Sequence, residues 1–203
     1  MPNMKTEILK FKGDWQDVVN ECRATVSKPP LGHEPSSEFK KRILISEHGP
    51  IRNLFVKFLW KNIPYWCAMH WKTHIWMSSV STQRNDRQDN YDREAARQDA
   101  PVSFTGEMNP QHSIDTARKR LCRQASDLTR KYAEDIKRVL RGPEPEWSDV
   151  MVPNCVYRCG CPEKGVGKPC NWYEAMVKKY PDLASTDIQT RYDTYNKIFY
   201  GEE

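Results

Sequence analysis

The chain has 203 residues, enough for one compact domain, and its 38% hydrophobic content with seven Trp, nine Tyr and six Phe excludes an intrinsically disordered chain. Thirty-two Lys and Arg against 27 Asp and Glu give a formal net charge of +5 without blocks of like charge, so charge does not distinguish a nucleic-acid partner from an anionic small molecule. No apolar run approaches the roughly 20 residues of a membrane span, and the N-terminus lacks a signal-peptide pattern, so we expect a cytoplasmic protein. Its seven cysteines should then be mostly reduced thiols.

The N-terminal part is predicted to hold a strand and two helices. Residues 5–12 have the composition of a short strand, and Asp14 can cap the helix that follows. The apolar positions of this helix are Trp15, Val18, Val19, Cys22 and Val26. Ser36 and Ser37 can cap a second helix, which must end before Gly49-Pro50 because proline disfavours helical geometry in the preceding residue.

The middle of the chain passes from a strand pattern to a helix and then to a polar stretch. From Ile51 the apolar residues recur in steps of two, which predicts a half-buried strand. Its inward positions are Leu54, Val56, Phe58 and Trp60. Pro64 then opens an aromatic segment that we predict to be helical for two or three turns. We predict a long surface loop over residues 84–108, and such loops are usually functional or disordered.

Helical periodicity is clearest between Pro110 and Leu140. Asn109 is a good N-cap, and Pro110 suits the first helical position because its missing N–H costs nothing there. The apolar stripe consists of Ile114, Ala117, Leu121, Ala125, Leu128, Tyr132, Ile136 and Val139. We therefore predict one long central helix, ended by Gly142-Pro143.

The C-terminal part is predicted to contain a strand at 151–157, a Cys-rich loop at 155–170, a short helix near 171–179 and a final helix capped by Ser185. The inward positions of the final helix are Ile188, Tyr192 and Ile198. Together the elements predict a single α+β domain over residues 1–203, with a small, mostly antiparallel sheet flanked by helices.

Residues 70–87, HWKTHIWMSSVSTQRNDR, are suited to binding phosphate and planar rings. The segment combines two histidines and several hydroxyl side chains with Gln83, Arg84 and Arg87. Arginine forks with Ser and Gln donors commonly hold phosphate, and indole faces can stack on an isoalloxazine or a uracil. The same pattern is compatible with Trp residues in the core and arginines in solvent.

The order of these segments resembles that of flavin-dependent thymidylate synthases. The family signature, RHRxxSxNxxSxR, follows a His-x-x-Pro segment and a strand; here SEHGPIRNLFVKF (46–58) and an aromatic helix precede residues 70–87. His74 matches the central histidine, whereas Thr73 and Ile75 stand where the family has arginines. His70 stands where the family usually carries Gln. The segment STQRNDR (81–87) is similar to the sequence of a divergent, phage-borne branch of the family.

The resemblance continues through the second half of the chain. Residues 117–140 resemble the long central helix of the family, and MVPNCVYR (151–158) is similar to its Leu-Pro-x-x-x-Tyr strand. Residues 186–199 occupy the place of its terminal helix. The resemblance therefore covers nearly the whole chain in the right order.

This resemblance implies an enzyme that transfers a one-carbon unit from methylenetetrahydrofolate to C5 of dUMP, with FAD as cofactor and NADPH as reductant, in a homotetramer. Arginine suits activation of the base because its permanent charge stabilises negative charge that develops on the uracil. Catalysis is assigned to Arg84 and Ser81. Substrate contacts are assigned to Gln83, Arg84, Arg87, Arg158 and Arg191. Flavin contacts are assigned to His48, His70, His74 and Ser79, with Arg52 and Lys72 in place of the missing arginines.

Other interpretations stay open. A hydroxymethylase acting on dUMP or dCMP would use the same fold and the same folate carbon, and a phage enzyme would work in the host cytoplasm. A non-catalytic protein could instead bind zinc or stack on single-stranded nucleic acid, and a relic of the fold could lack activity. Cys155, Cys159, Cys161 and Cys170 could form a tetrahedral zinc site, but they lack paired CxxC knuckles, so we predict structural thiols and no metal ligand.

Overall fold

Four strands pair into one antiparallel sheet in the computed structural model, which describes residues 5–75, 77–81, 86–87 and 91–202. The strands are β1 (Thr6–Lys12), β2 (Phe55–Pro64), β3 (Met77–Val80) and β4 (Pro101–Met108). Their order in the sheet is β1-β2-β4-β3, and every neighbouring pair is antiparallel. The prediction of a small antiparallel sheet in a single α+β domain is confirmed.

Helices surround this sheet. They are α1 (Trp15–Ala24), α2 (Ser37–Ile45), α3 (Tyr65–Lys72), α4 (Pro110–Arg120), α5 (Asp127–Leu140), α6 (Pro145–Asp149), α7 (Asn154–Tyr157), α8 (Trp172–Lys179) and α9 (Ile188–Tyr200). Short 3-10 helices occupy Gly49–Asn53 and Pro181–Ala184. In the described part of the chain, no helix has both the length and the apolar character needed to cross a bilayer.

The predicted N-caps fix where the first helices begin. The Asp14 carboxylate accepts from the main-chain N–H of Asp17 (2.8 Å), and the Asn109 side chain accepts from that of His112 (2.9 Å). Ser36 caps α2 in the same way through the N–H of Phe39. These side chains satisfy N–H groups that have no partner within the helix.

Trp60 lies at the centre of the core. Its position on β2 alternates with exposed residues, as the period of two predicts, and its indole N–H donates to Thr6 Oγ1 on the neighbouring strand (2.7 Å). Its ring stacks on Phe104 at 5.6 Å and meets Trp71 edge-on at 4.8 Å. Because Trp71 belongs to α3 and Phe104 to β4, this contact fixes α3 against the sheet and sets the direction in which the chain leaves α3.

The predicted loop at 84–108 is wrong at its C-terminal end, and β3 was not predicted. Residues 101–108 form β4, which lies between β2 and β3 and buries Val102, Phe104 and Met108. The alternation of these three residues is itself a strand signal, which the polar residues before it obscured. Gly106 fits there because a Cβ would lie 2.5 Å from the Phe58 ring.

The predicted long helix is two helices. α4 ends at Arg120 and α5 begins at Asp127, because the Ser126 hydroxyl caps a new helix by accepting from the N–H of Thr129 (3.4 Å). Leu121 stays buried between the two helices, so the apolar stripe continues across the break. Periodicity alone therefore could not reveal the interruption.

Other boundaries also differ from the predictions. Residues 154–157 form α7 rather than a strand, so the Cys-rich loop begins after Tyr157. Asp187 caps α9 in place of Ser185, since its carboxylate accepts from the N–H of Thr190 (2.8 Å). Val26 is 60% exposed because α1 has already ended at Ala24.

Candidate functional site

His74 and Arg120 meet at the C-terminal end of α4. One guanidinium nitrogen of Arg120 donates to His74 Nε2 (2.8 Å) and to the carbonyl oxygen of His70 (3.0 Å). Burial lowers the pKa of His74, and the positive charges of Arg120 and Lys119 lower it further, against a smaller opposing effect of Asp115. The imidazole is therefore neutral at pH 7 and can accept the hydrogen bond that orients Arg120.

His70 presents its ring at the surface next to this pair. Its Nδ1 lies 3.3 Å from Thr129 Oγ1, the hydroxyl that also receives a hydrogen bond from Ser126 (2.7 Å). Trp66, one turn earlier on α3, meets the His70 ring edge-on at 5.4 Å. Because the Ser126 cap exists only where α5 begins, the break between α4 and α5 helps to hold His70 in place.

Thr73 and Ile75, which replace the arginines of the signature, have different surroundings. Thr73 is exposed at the C-terminal end of α3, next to the exposed Lys72. Ile75 is 8% exposed and belongs to the hydrophobic core. An arginine side chain at position 75 could not keep this place without burying its charge, which is costly.

The hydroxyl part of the motif follows on β3. Ser79 is exposed, and Arg87 is exposed further along. Ser81 extends the pairing of β3 with β4: its N–H donates to the Ser103 carbonyl (2.9 Å) and its hydroxyl accepts from the Ser103 N–H (2.7 Å). Gln83 and Arg84 lie outside the described residues.

The remaining predicted flavin residues lie near the other end of α4. The carbonyl oxygen of Arg52 accepts from the side chain of Asn109, the N-cap of α4 (3.3 Å). Burial lowers the pKa of His112, Asp115 opposes this effect, and the charge of Arg52 adds to it. His48 is exposed, with Nδ1 3.7 Å from Cys22 Sγ. The structure thus brings His70, Lys72 and His74 together but places Arg52 apart from them.

A partly buried ion pair holds α4 against the segment that follows α2. Arg118 pairs with Glu47, which also accepts from Gln111 (2.6 Å), and its guanidinium carbon lies 3.6 Å from the centroid of the Tyr157 ring. The contacts join the end of α2 and the residues of α7 to α4. This arginine therefore has its counter-ion within the protein.

The two arginines predicted further along the chain are not in an open cleft. Arg191 is 7% exposed, and its guanidinium donates to four main-chain carbonyl oxygens, those of Val156, Tyr157, Ser185 and Thr186, at 2.7 to 3.1 Å. In this structure Arg191 joins α9 to α7, and its predicted contact with the substrate stays a prediction. Arg158 is exposed and donates to Asn154 (3.1 Å).

The cysteines are all free thiols, and four of them share one cavity. These four are Cys122, Cys155, Cys161 and Cys170. Burial raises the pKa of Cys155 to about 12, and negative charge on Cys122 and Cys170 contributes in the same direction. Cys159 lies elsewhere, with Sγ 3.6 Å from the Tyr173 hydroxyl and 3.8 Å from the Ser185 carbonyl.

Arg120 is the site residue that the sequence did not predict. It lies in the run ARKRL (117–121), where three consecutive positions carry cations and nothing in the sequence distinguishes one of them. The location of Arg120 could still have been inferred. If α4 and the aromatic helix pack on one sheet, the C-terminal end of α4 lies near the aromatic helix. The break at 121–126 hid that end inside a longer predicted helix.

Many solved structures are similar to this fold, and two of them are enzymes that act on or bind pyrimidine nucleotides. The first is a UMP/dUMP methylase, PolB, from Streptomyces cacaoi bound with 5-Br dUMP, with a TM-score of 0.60 and 11% identity over 73% of this chain and 94% of that chain. The second is thymidylate synthase X from Helicobacter pylori with FAD and dUMP, with a TM-score of 0.60 and 11% identity over 73% of this chain and 99% of that chain. No protein-family model and no curated protein matches the sequence. At this identity the likeness establishes the fold.

Proposed function

We propose that this chain, which has the fold of thymidylate synthase X, is an enzyme that transfers a one-carbon unit to C5 of a deoxyuridine nucleotide. Methylenetetrahydrofolate is the proposed carbon donor, FAD the cofactor and NADPH its reductant. The proposal combines the fold with the resemblance of the 70–87 segment to the flavin-dependent synthases. The observation that supports it most strongly is the environment of the Arg120 side chain.

Arg120 is a half-buried cation without a carboxylate partner among the described residues. Its hydrogen bonds go to neutral acceptors, the His70 carbonyl and the His74 ring, and burial lowers its pKa. Arg118 and Arg130, which are buried to a similar extent, each pair with carboxylates. Because a desolvated guanidinium is stabilised by a negative partner, Arg120 suits a bound anion such as phosphate.

The residues around Arg120 fit the flavin cofactor. The rings of Trp66 and His70 offer aromatic surface beside the anion position, and the exposed Lys72 lies two residues from His70 in the chain. Arg120 thus takes over the part that the arginines at positions 73 and 75 would play. When bound, reduced FAD supplies the reducing equivalents that convert a transferred methylene into a methyl group.

We propose that the substrate lies against the end of β3 and the residues that follow. Arg84 is the proposed group for binding and polarising the uracil, because a fixed cation stabilises negative charge on the base. Gln83 and Arg87 are proposed to contact the phosphate or sugar of the nucleotide, and Ser79 the flavin. The hydroxyl of Ser81 already accepts from the main chain of Ser103, so its proposed role is to position the segment that follows it.

The proposed assembly is a homotetramer. Arg52 and His48 lie away from His74, and a neighbouring subunit is a physically simple way to bring a second set of cations to one cofactor. Arg158 is exposed and stays a candidate for such a contact across subunits. Light scattering of the purified protein tests the assembly directly.

The first test is the visible absorption spectrum of the purified protein with FAD, recorded before and after addition of dUMP. We expect bound flavin and a spectral change on adding dUMP. A protein that neither binds flavin nor responds to dUMP would overturn the proposal. If it binds flavin, mass analysis of the product after addition of methylenetetrahydrofolate and NADPH separates methylation from hydroxymethylation.

The second test compares Arg120→Gln with Arg123→Gln. A charged hydrogen bond contributes about 1.5 to 3 kcal/mol, so Arg120→Gln should weaken FAD binding by roughly 10- to 100-fold. Arg123 is exposed three residues away and serves as the matched control. Equal effects of the two substitutions would show that Arg120 does not contact the cofactor.

A further inference from the structure

Four thiols line one cavity of about 290 Å³ between the α4–α5 connection and the Cys-rich loop. Cys122 comes from the connection, Cys155 from α7, and Cys161 and Cys170 from the loop that follows α7. The first thiol is thus far from the other three in sequence. Its arrival at the same cavity is a consequence of the fold.

The set differs from the one that the sequence suggested. Cys159 lies two residues from Cys161, but its sulfur faces the Tyr173 hydroxyl and the Ser185 carbonyl, and it does not line the cavity. Cys122, which is separated from the cluster in sequence, takes its place. Four thiols therefore line the cavity, which is the number that a tetrahedral thiolate site requires.

We propose that Cys122, Cys155, Cys161 and Cys170 bind one structural Zn²⁺ ion. A closed set of four thiolates holds zinc tetrahedrally with Zn–S distances of about 2.3 Å and leaves no position for a substrate. Three of these thiols are partly buried and Cys170 is exposed, whereas thiols that act only as small hydrophobes are usually fully buried. Arg120 of the proposed flavin site also lines this cavity, but the zinc assignment rests on the four thiols, none of which has a role in the proposed reaction.

Binding requires the loop to close around the ion. In the described conformation no three such side chains are already placed to hold a metal, so the sulfurs must move inward. Residues 158–171 contain no helix or strand, and a Cβ at Gly160 or Gly165 would meet open space, which shows room around the loop backbone. Gln124 already ties the two walls together by donating to the carbonyl of Lys168.

Nearby charge favours the bound form. Four thiolates and one Zn²⁺ leave a net charge of about −2, because each thiol gives up its proton to solvent when it ligates. Four cationic residues line the same cavity, Arg118, Lys119, Arg120 and Arg123, against one carboxylate, Glu163. Their positive charge offsets that of the site.

Such a site would fix the geometry on both sides of the cavity. It would tie the α4–α5 connection to α7 and to the loop before α8, where apolar side chains are scarce. Metal binding would therefore contribute to the free energy of unfolding of this region.

The test uses the full chain, purified without chelator. We expect elemental analysis to find one zinc per chain, and Co²⁺ added to the metal-free protein to give the thiolate charge-transfer and tetrahedral d–d absorption bands. We expect a thiol reagent to label Cys22 and Cys159 in the zinc-loaded protein, and the four cavity thiols only after chelation. Absence of metal, or a mass that shows these cysteines joined in disulfides, would overturn the proposal.

Two matched variants assign the ligands. Cys122→Ser should bind Co²⁺ with altered bands and at least 10-fold more weakly, whereas Cys159→Ser should bind as the unmodified protein does. If Cys159→Ser loses the metal and Cys122→Ser keeps it, the proposed ligand set is wrong. Should Cys122→Ser fail to fold, the labelling pattern of the unmodified chain still decides between the two sets.

Discussion

The ionisation of Lys137 should make the stability of the fold depend on pH. The residue lies on α5, is fully buried, and its amine donates to the Ser148 carbonyl (2.6 Å) and to Asn196 Oδ1 (2.7 Å). Burial lowers its pKa from 10.5 to about 7; Asp149 opposes the shift, and Arg141 and Arg138 add to it. A neutral amine has two N–H donors, which matches its two acceptors.

The sign of the effect follows from the two states. Below pH 7 the lysine is protonated in both the folded and the unfolded chain, so the folded state carries the full cost of a buried charge. Between pH 7 and 10.5 unfolding takes up a proton, and the free energy of unfolding rises with pH. One pKa unit corresponds to about 1.4 kcal/mol, so the shift to about 7 is equivalent to roughly 5 kcal/mol over this range.

The substitution Lys137→Met removes the titrating group. Urea unfolding followed by Trp fluorescence at several pH values from 6 to 10 gives the free energy of unfolding of both proteins. The free energy of unfolding of wild type minus that of Lys137→Met should be constant below about pH 7 and should rise by about 1.4 kcal/mol per pH unit above it. Lys131→Met, an exposed position on the same helix, should show a constant difference throughout.

One result would refute the predicted pH dependence. If the difference between wild type and Lys137→Met stays constant from pH 7 to 10, the lysine ionises alike in both states. Its burial would then not oppose its charge, and the hydrogen bonds to Ser148 and Asn196 would hold a permanent ammonium group.

Three further changes test other parts of the structure. Gly13→Ala should destabilise the fold by at least about 2 kcal/mol in urea unfolding, because φ is +73° and a Cβ would lie 2.3 Å from a main-chain oxygen; Gly32→Ala, in open space, should change it little. Arg191→Met should lower the melting temperature and cost about 3 kcal/mol or more by leaving buried carbonyl oxygens unpaired, yet folded protein should bind dUMP as before; a selective loss of dUMP binding would return Arg191 to the substrate site. Thr73→Arg should fold and tighten FAD binding in a fluorescence titration, whereas Ile75→Arg should unfold the protein; a stable Ile75→Arg would show that the core contact is dispensable.

The sequence predicted those elements whose signals are local. The caps at Asp14, Ser36 and Asn109 lie next to clear apolar patterns, and each one begins a helix as expected. β2 was found from its strict alternation. In each case the short-range pattern and the tertiary packing favour the same structure.

The errors occur where tertiary contacts decide the outcome. Leu121 would pack in the core whether this part of the chain formed one helix or two, so the apolar periodicity continues across residues 121–126. Only the cap at Ser126 distinguishes the two possibilities. β3 has four residues and gains its strand geometry from β4. A short edge strand of this kind cannot be recognised before its partner is known.

The residues of the candidate site also include some that the sequence could predict and some that it could not. The motif around His74 could be recognised in sequence, and its neighbours His70 and Lys72 lie close to it in the chain. Arg120 is separated from His74 by more than forty residues, and Cys122 from Cys161 by almost as many. Distances of this kind in the chain become contacts only through the sheet and the packing of α4.

Helix α4 acts as a rigid spacer between Arg52 at its N-terminal end and the His74 and Arg120 pair at its C-terminal end. Eleven residues at about 1.5 Å each separate Arg52, which contacts the N-cap, from His74, which contacts the last residue, by roughly 16 Å along the axis. Glu47 contacts both Gln111 and Arg118, near the two ends of the helix, so the spacing cannot shorten without breaking these partly buried contacts. A single planar ring reaches only one of the two ends, and a ligand that touches both within one chain must be extended.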